Sequence, residues 1–589
     1  MGDVRTNSVS ISYIESVATS PFRRFAPPSP SGGRLKSHAL GMTERAAARR
    51  YTICDCPAIT LFDPMPDLTT PDGVSLYRLF DFARTRWPDH TALIDDTGQA
   101  TFAGLEVSAG RLLRRLVEVG CRHGDRVALI LPNSIPFIVV ELAVLRGGMV
   151  KVPLNIRFHV NEVMYALKDC EPTALICDEA YARSIAPRMA DIPSLRSVIV
   201  VGADVAGAER YEAIVAAGEQ GPPPARYGAD DPAVIRYTGG TTGRPKGVVH
   251  TERSLLAIAL DQLRELALDH DDIALHLGHL SHGMNYAWPA YYAAGATQIL
   301  RERFDPKAVL HDLAHHRVTR VYMVPTMIHR LLREDDGSAD VSQLRMFMYS
   351  SAPMPVPLLE QAIARYGNIF LQVYTLSEAP VITTIMRPLE HVVRETECGP
   401  RLGSCGREVV TMEIRLLDDD GAEVGPGEVG EIAIRSVNNM AGYWRLPKET
   451  AETLIDGWIR SGDMARRDKD GFLYLADRKK DLIITGAFNV YPKEVEDVLY
   501  LHPAVEQCAV VGSPDAEWGE TIKAYVVRRK NSDVSADDLI DLCRNHLASY
   551  KKPRSVTFVD SLPTSPVGKI MRRALRDQEN RQAPLGTTQ

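Results

Sequence analysis

Residues 237–247 read Tyr-Thr-Gly-Gly-Thr-Thr-Gly-Arg-Pro-Lys-Gly, and this stretch decides how the rest of the chain is interpreted. The apolar run 233–237 before it predicts a buried strand, and Thr251 after it is placed to cap a helix. A strand, a loop rich in glycine and threonine, and then a helix are typical of a phosphate site, where Lys246 adds positive charge. The spacing differs from that of the common nucleotide loop, which disfavours a kinase-like or GTPase-like protein.

The stretch also resembles the signature Tyr-Thr-Ser/Gly-Gly-Thr-Thr-Gly-x-Pro-Lys-Gly of the adenylate-forming superfamily. That superfamily includes acyl- and aryl-CoA synthetases, the adenylation domains of peptide synthetases and beetle luciferases. The resemblance implies that the stretch binds the phosphates of ATP. The residues assigned to this task are Thr238, Gly239, Gly240, Thr241, Thr242, Gly243 and Lys246.

Composition excludes several other classes of protein. The 589 residues are 45% apolar and 24% charged, which is ordinary for a globular protein. A net charge of −7 argues against nucleic acid as a main partner. The most apolar run, residues 134–145, is short and contains Glu141, so we expect no integral membrane span. Nine dispersed cysteines suit a reducing compartment, and we expect a cytoplasmic protein.

The chain divides into an unusual start and a regular remainder. Residues 1–60 are rich in Ser, Arg, Pro and Gly and show no sustained hydrophobic period, which predicts a disordered or loosely packed extension. A transit peptide and a true start at Met42 both remain open. From about residue 76, helical and strand-like patterns alternate, and this indicates an α/β fold with a parallel-type sheet.

Three strand-and-turn units between residues 321 and 378 are natural partners of the first loop, because ligands on α/β sheets collect where strands give way to loops. By resemblance, the turn 350–354 borders adenine with Ser351, Ala352 and Pro353. The segment 374–378 resembles Tyr-Gly-x-Thr-Glu. It implies Tyr374 beside the base, Ser377 in place of a threonine on phosphate, and Glu378 as a ligand of Mg²⁺. Thr375 replaces the usual glycine, which could narrow the acyl pocket.

A histidine-rich segment, residues 276–282, invites a metal site, but no carboxylate or cysteine completes a ligand set, so we favour a structural or pocket role. In the resembled superfamily, a His-Gly pair at this point lies beside the acyl pocket. The residues implied for that pocket are His282, Gly283, Met284, Asn285 and Trp288.

Residues 425–430 match the dinucleotide fingerprint letter for letter, yet a strand rather than a helix follows them. We therefore predict a β-hairpin there. Further on, Asp463 resembles the carboxylate that accepts hydrogen bonds from both ribose hydroxyls, and Arg478 resembles a second ribose ligand.

The last hundred residues predict a compact α+β module. By resemblance, Lys480 is the hinge about which this C-terminal domain rotates, and Lys569, in the frame Pro563-x-x-x-x-Gly568-Lys569, is the catalytic lysine. The strand Gly486-Ala-Phe488 would form the wall of a CoA tunnel. Ala487 replaces a glycine, and we expect adenylation to survive and thioester formation to be at most slowed.

Together, these patterns predict an α/β protein of three parts. Residues 1–60 are the extension, 61–479 a large ATP- and acyl-binding domain of packed β-sheets and helices, and 480–589 a small mobile α+β domain. The resemblance implies an AMP-forming acid–CoA ligase whose catalytic residues are Lys569, Glu378 and Thr238, with ATP, Mg²⁺ and coenzyme A. A carrier-protein-loading enzyme, a nucleotide-binding regulator without activity, and a homodimer remain open.

Overall fold

The computed structural model describes residues 75–225, 228–238, 245–478, 481–485, 488–515, 518–530, 532–564 and 570–582. These described residues belong to one compact unit, which spans residues 66–589. The predicted extension, residues 1–60, lies outside them. Within the described ranges, no helix is long and apolar enough to cross a bilayer.

The first part of the chain alternates strands and helices, as its sequence pattern predicts. In order, the elements are α1 Leu76–Arg86, β1 Thr91–Asp95, β2 Gly98–Thr101, α2 Phe102–Glu118, β3 Arg126–Ile130, α3 Ile135–Arg146, β4 Val150–Pro153, α4 Val160–Cys170, β5 Ala174–Asp178, α5 Glu179–Ile185, β6 Ser197–Val201, β7 Glu209–Arg210, α6 Tyr211–Ala216, β8 Pro232–Thr238, β9 Lys246–Thr251 and α7 Glu252–Glu265.

The second part repeats that alternation and then changes to short antiparallel strands. Its elements are β10 Ile273–His276, α8 Trp288–Ala294, β11 Thr297–Leu300, α9 Pro306–His315, β12 Arg320–Met323, α10 Pro325–Glu334, β13 Met346–Tyr349, α11 Val356–Tyr366, β14 Phe370–Tyr374, β15 Thr384–Met386, β16 Glu395–Thr396, β17 Gly399–Pro400 and β18 Arg407–Glu408. A 3-10 turn, Gly283–Tyr286, precedes α8.

A smaller sheet and the C-terminal module complete the described chain. Its elements are β19 Glu413–Leu417, β20 Gly430–Arg435, β21 Gly442–Tyr443, α12 Pro447–Thr453, β22 Leu454–Ile455, β23 Trp458–Arg467, β24 Leu473–Arg478, β25 Ile483–Thr485, β26 Phe488–Val490, α13 Pro492–Leu499, β27 Val505–Asp515, β28 Gly519–Arg528, α14 Ala536–His546, β29 Ser555–Phe558 and α15 Arg572–Gln582. Strands β19 and β20 pair antiparallel, which confirms the predicted hairpin.

Two large sheets form the body of the described structure. One has the strand order β21-β9-β8-β4-β3-β5-β6-β7, and the other has the order β18-β15-β14-β13-β12-β10-β11-β1-β2. Their central strands run parallel, which confirms the α/β prediction. A single apolar cluster contains residues of α1, α2 and α3 together with strands of both sheets.

The C-terminal module has its own sheet, β26-β25-β28-β27, with β29 beside β28. It also has its own apolar core, built from α13, α14 and these strands. Separate sheets and separate cores are the mark of a second, smaller domain, so the large α/β domain and the small α+β domain predicted from the sequence are both present.

One local prediction is wrong. The glycine-rich loop does not lead directly into a helix, because β9 follows it and pairs antiparallel with β8. Gly247 makes this pairing possible, since a Cβ there would lie 2.8 Å from the Cγ2 of Ile235. The helix begins only at Glu252, where Thr251 caps it as predicted. The loop therefore connects two strands of a hairpin.

Candidate active site

The open end of the β8–β9 hairpin carries the first group of predicted site residues. Thr238 and Lys246 face each other in the antiparallel register. The Lys246 ammonium lies 4.8 Å from the centre of the Tyr443 ring, in cation–π geometry. Residues Gly239, Gly240, Thr241, Thr242 and Gly243 lie outside the described residues.

The same end of the hairpin holds Glu378. Strand β21 pairs with β9, and this pairing carries Tyr443 to the site. The Tyr443 hydroxyl donates to Oε1 of Glu378 at 2.7 Å, and burial raises the pKa of that hydroxyl. The backbone carbonyl of Glu378 accepts from the N–H of Met440 at 2.8 Å. The Glu378 carboxylate is half-buried beside the hairpin, and a carboxylate of this kind can hold Mg²⁺ through one or two oxygens.

Ser377, next to Glu378, is held by both strands of the hairpin. Its hydroxyl accepts from Arg236 of β8, and its carbonyl accepts from Nε2 of His250 of β9 at 2.9 Å. Burial lowers the pKa of His250 to about 4, which keeps the imidazole neutral. Thr375 is half-buried, at the start of the same turn.

A second cluster joins the ends of β14 and β24 to the middle of β23. The Tyr374 hydroxyl donates to Oδ2 of Asp463 at 2.7 Å, and Nε of Arg478 lies 3.1 Å from Oδ1 of the same carboxylate. Burial raises the pKa of Tyr374 well above its usual value. The Asp463 carboxylate raises the pKa of Arg478. Asp463 and Arg478 are direct register partners on β23 and β24.

The turn after β13 lies beside the histidine-rich segment. Ser351 has a left-handed backbone with φ of 75°, and its hydroxyl is 2.8 Å from the Tyr322 hydroxyl. Such a backbone is uncommon for a residue other than glycine and is found at functional turns. Ala352 and Pro353 follow it near the surface. Gly278 links this turn to Met284, because a Cβ on Gly278 would lie 3.0 Å from the Met284 side chain and 3.6 Å from that of Tyr322.

The residues predicted for the acyl pocket divide into two groups. His282 and Gly283 lie near the surface, where Nδ1 of His282 accepts from the Gly283 N–H at 2.7 Å. Met284 is buried behind them. Asn285 and Trp288 are fully buried, and their N–H groups point into the core rather than toward the surface.

The partner of those two N–H groups is a buried ion pair that sequence reasoning missed. Glu141 of α3 accepts from Nδ2 of Asn285 at 2.5 Å, from Nε1 of Trp288 at 2.6 Å and from Nζ of Lys151 at 3.0 Å. The side chains of Glu141 and Lys151 are 0% and 1% exposed. The signal was a single carboxylate in an otherwise apolar helix, which requires a buried partner.

Histidines 276 and 279, near the pocket, have no metal-like arrangement in the described chain. Nε2 of His276 lies 2.9 Å from Oε1 of Gln298, and burial lowers the pKa of both histidines to about 4. Among the residues described, a ligand-like cluster occurs at Asp269, His270 and Asp271, which are all exposed.

The C-terminal module contacts the large domain beside the second cluster. Asp477 of β24 accepts from the N–H of Lys493 at 3.0 Å and from Arg572 at 3.1 Å, and Arg466 pairs with Glu494 at 2.7 Å. Phe488 stacks on Tyr550 with ring centres 4.4 Å apart. The predicted hinge Lys480, the tunnel residues Gly486 and Ala487, and Lys569 lie outside the described residues.

The structure thus brings two predicted groups to one region. Lys246, Ser377 and Glu378 lie around the hairpin, and Tyr374 joins them to the Asp463–Arg478 pair. Sequence reasoning missed several contacts that support this region, because such side chains carry no motif of their own. They are Arg236, His250 and Tyr322.

Comparison with known proteins agrees with this geometry. Residues 80–444 match the family model described as AMP-binding enzyme, and residues 494–569 match the model of the AMP-binding enzyme C-terminal domain. A feruloyl-CoA synthase of Amycolatopsis is 37% identical over 84% of this chain and 97% of its own length. A medium/long-chain fatty acid–CoA ligase of Mycobacterium tuberculosis is 34% identical over 78% of this chain and 82% of its own length.

A solved structure supports the same assignment. ATP-bound MatB from Rhodopseudomonas palustris superposes with a TM-score of 0.78 at 30% identity, over 86% of this chain and 99% of that one. Both domain models match in the expected order, and the curated relatives align over most of their length. The chain therefore belongs to the AMP-binding enzyme family, the adenylate-forming superfamily, in its acyl- and aryl-CoA synthetase branch.

Proposed function

We propose that this chain is an ATP-dependent carboxylic acid–CoA ligase. In the first step an acid and ATP give acyl-AMP and pyrophosphate, and in the second acyl-AMP and CoA give acyl-CoA and AMP. The observation that carries the proposal is the convergence of the β8–β9 hairpin, the Tyr374–Glu378 turn and the Asp463–Arg478 pair. The CoA ligase relatives support CoA as the acceptor.

A carboxylate resists attack by a thiol because its negative charge repels nucleophiles, and joining it to AMP supplies a good leaving group. The site must neutralise crowded phosphates and hold the carboxylate in line with the α-phosphorus. We assign binding of the ATP phosphates to Thr238, Lys246 and Ser377, and also to the loop between Thr238 and Lys246. The donors in that loop are Gly239, Gly240, Thr241, Thr242 and Gly243.

We assign binding of the adenine base and of the ribose to the second cluster and the neighbouring turn after β13. Ser351, Ala352 and Pro353 would border adenine, with Tyr374 on the other side. Asp463 would accept from the ribose hydroxyls, since one of its oxygens accepts from Tyr374, the other is ion-paired with Arg478, and a carboxylate has lone pairs beyond those two contacts. Arg478, about half-exposed beside it, would donate to the same sugar.

Cations must neutralise the negative charge of the departing pyrophosphate. Glu378 would hold Mg²⁺, which supplies Lewis-acid charge neutralisation when bound. Tyr443 orients that carboxylate by donating to one of its oxygens. Lys569 would stabilise the charge that develops on the transferring α-phosphate.

The acid would enter beside His282, Gly283 and Met284, with Asn285 behind them in the core. A pocket edged by a methionine, with the aromatic Trp288 beneath it, accommodates aromatic or medium-length aliphatic acids. The names of the two relatives, a feruloyl-CoA synthase and a medium/long-chain fatty acid–CoA ligase, lie in that same range.

For the second step, the C-terminal domain would rotate about Lys480 and bring residues 486–488 to the site as the wall of the CoA tunnel. The ion pairs of Arg466 and Arg572 with the neighbouring domain would then be exchanged. A cytoplasmic location and a homodimer are further parts of the proposal. The location rests on the cysteine pattern, and the seven cysteines that the structure describes are free thiols.

The acceptor is tested by giving the enzyme a preformed acyl-AMP together with either CoA or a phosphopantetheinyl carrier protein. We expect rapid release of AMP and a thioester on CoA, with little on the carrier at equal thiol concentration. A thioester that forms on the carrier and not on CoA would contradict the proposal and favour a carrier-loading enzyme.

A further inference from the structure

Ser377 stands where the signature of the resembled superfamily has threonine, and the structure gives it an unusual support. Its hydroxyl accepts a hydrogen bond from Nη2 of Arg236, and its carbonyl accepts one from His250. Both supports come from the hairpin, one from β8 and one from β9. The side chain and the backbone of Ser377 are therefore fixed independently.

Arg236 is a buried cation, and some of its N–H groups are unpaired among the described residues. The residue is 3% exposed, and its Nε and Nη1 have no hydrogen-bond partner among the described residues. Its guanidinium carbon lies 4.7 Å from the centre of the Tyr286 ring. Burial raises the pKa of Tyr286 to about 12, Arg236 opposes that shift, and Glu378 adds to it, so the three groups are electrostatic neighbours. An arginine with unpaired N–H groups in a protein interior requires an explanation.

The hydrogen bond between Arg236 and Ser377 has a chemical consequence. A serine hydroxyl has one hydrogen and two lone pairs, and arginine can only donate. The Ser377 oxygen must therefore accept, and its own hydrogen is left to donate elsewhere. A threonine in this position would be held by its β-branch, which restricts χ1, whereas serine rotates freely unless something restrains it.

We propose that Arg236 is a positioning residue that fixes the Ser377 hydroxyl as a donor to the α-phosphate of the nucleotide. Arg236 thereby replaces the restraint that a β-methyl supplies, and its positive charge strengthens the donor. This role rests on the proposed function, because it needs an adenine nucleotide at the site.

The test is a cycle of four enzymes: wild type, Arg236→Met, Ser377→Ala and the double variant. Affinity for AMP is measured by calorimetry and adenylation by acid-dependent pyrophosphate exchange. Each single variant should weaken AMP binding by about tenfold, the size expected for a hydrogen bond to a charged group. Because Arg236 acts through Ser377, the affinity of the double variant for AMP should lie within about twofold of the affinity of the single variant that binds AMP more weakly.

Two results would overturn the inference. One is an Arg236→Met enzyme that binds AMP as wild type does, and the other is a double variant whose losses multiply. Ser377→Thr introduced into Arg236→Met should recover most of the lost affinity, since the β-methyl restores the restraint. Failure of that rescue would also count against it.

Controls separate this inference from damage to the strand and from failure of the proposed function. Ile235→Val changes the neighbouring, oppositely facing position of β8 and should leave AMP affinity unchanged. Arg236→Leu, which also removes the donor and the charge, replaces the methionine variant in the cycle if the latter does not fold. If wild type shows no pyrophosphate exchange with any acid, the proposed function fails, and the AMP-affinity cycle still decides the role of Arg236.

Discussion

At the residue scale, the carboxylate of Asp463 connects side chains from two other strands. One of its oxygens accepts from Tyr374 and the other lies beside Arg478, so a single carboxylate connects the turn after β14 to the paired strands β23 and β24. In the proposed function, this one carboxylate would link the ribose contacts to the base contact, although 89 positions separate Tyr374 from Asp463.

Lys569 carries the sharpest prediction about a single residue. Replacing it with alanine should lower acid-dependent pyrophosphate exchange by about 10²–10³-fold, the loss seen when one preorganised donor to a transition-state charge is removed. ATP affinity should remain within about threefold, because the other phosphate contacts persist.

Lys530→Ala is the matched control, since Lys530 is an exposed lysine of the same domain. It should leave both quantities unchanged. Normal exchange in Lys569→Ala would show that the lysine is not catalytic.

The sequence singles out residues that the structure brings together, but it does not reveal the side chains that support them. Tyr374, Asp463 and Arg478 stand in recognisable segments, and the structure places them in one cluster. Arg236 and Tyr443 reach the site only because β8, β9 and β21 are adjacent in one sheet. Adjacency of that kind depends on pairing between strands that are about two hundred residues apart, which no local pattern encodes.

At the scale of elements, α3 has a supporting role that its sequence did not indicate. Its apolar run indicated only that no membrane span was present, because Glu141 interrupts it. In the structure this carboxylate binds Lys151 of β4 and also the N–H groups of Asn285 and Trp288, so α3 anchors the turn that borders the predicted acyl pocket. Likewise, β9 was missed because a short strand with a polar residue at position 250 resembles a loop.

Glu141→Gln should lower the free energy of unfolding by about 3–5 kcal/mol, because it leaves the buried Lys151 ammonium without its carboxylate. The combined change Glu141→Gln with Lys151→Met should retain more stability than Glu141→Gln alone, since it removes both charges and keeps an acceptor for Asn285 and Trp288. Urea unfolding monitored by circular dichroism measures both.

For comparison, Glu118→Gln removes a carboxylate whose side chain is 46% exposed and should leave the free energy of unfolding nearly unchanged. A loss of similar size in Glu141→Gln would mean that the buried pair contributes no more than a surface pair.

The whole molecule joins a large domain and a small one through charged contacts. Asp477 sits at the centre of this boundary, where burial raises its pKa to about 6 while the positive charge of Arg572 opposes the shift. Sequence reasoning predicted two domains because two different patterns follow each other, but it could not place this interface, since ion pairs between domains leave no periodic signal.

Acidification should destabilise the protein between pH 6.5 and about 4.5. Burial lowers the pKa of His250, His276, His279 and His391 to about 4. In that window the histidines are protonated in the unfolded chain but remain neutral in the folded protein. The stability that is present above the unfolded pKa is therefore lost as the pH falls. Burial raises the pKa of Glu252 to about 7 and that of Asp477 to about 6, and both oppose the effect.

The four histidines outnumber the two carboxylates, so the free energy of unfolding should fall with acidification over this range. Urea titrations at a series of pH values measure it. His391→Gln should reduce the slope by up to about 1.4 kcal/mol per pH unit. A free energy that is flat or rises toward acid would contradict the sign.

The most direct test of the central claim is a screen of aromatic and medium-length aliphatic acids for pyrophosphate release from ATP, with and without CoA. We expect at least one acid to release pyrophosphate, and CoA then to yield AMP and acyl-CoA in equal amounts. A folded enzyme that binds ATP but releases no pyrophosphate with any acid would contradict the account.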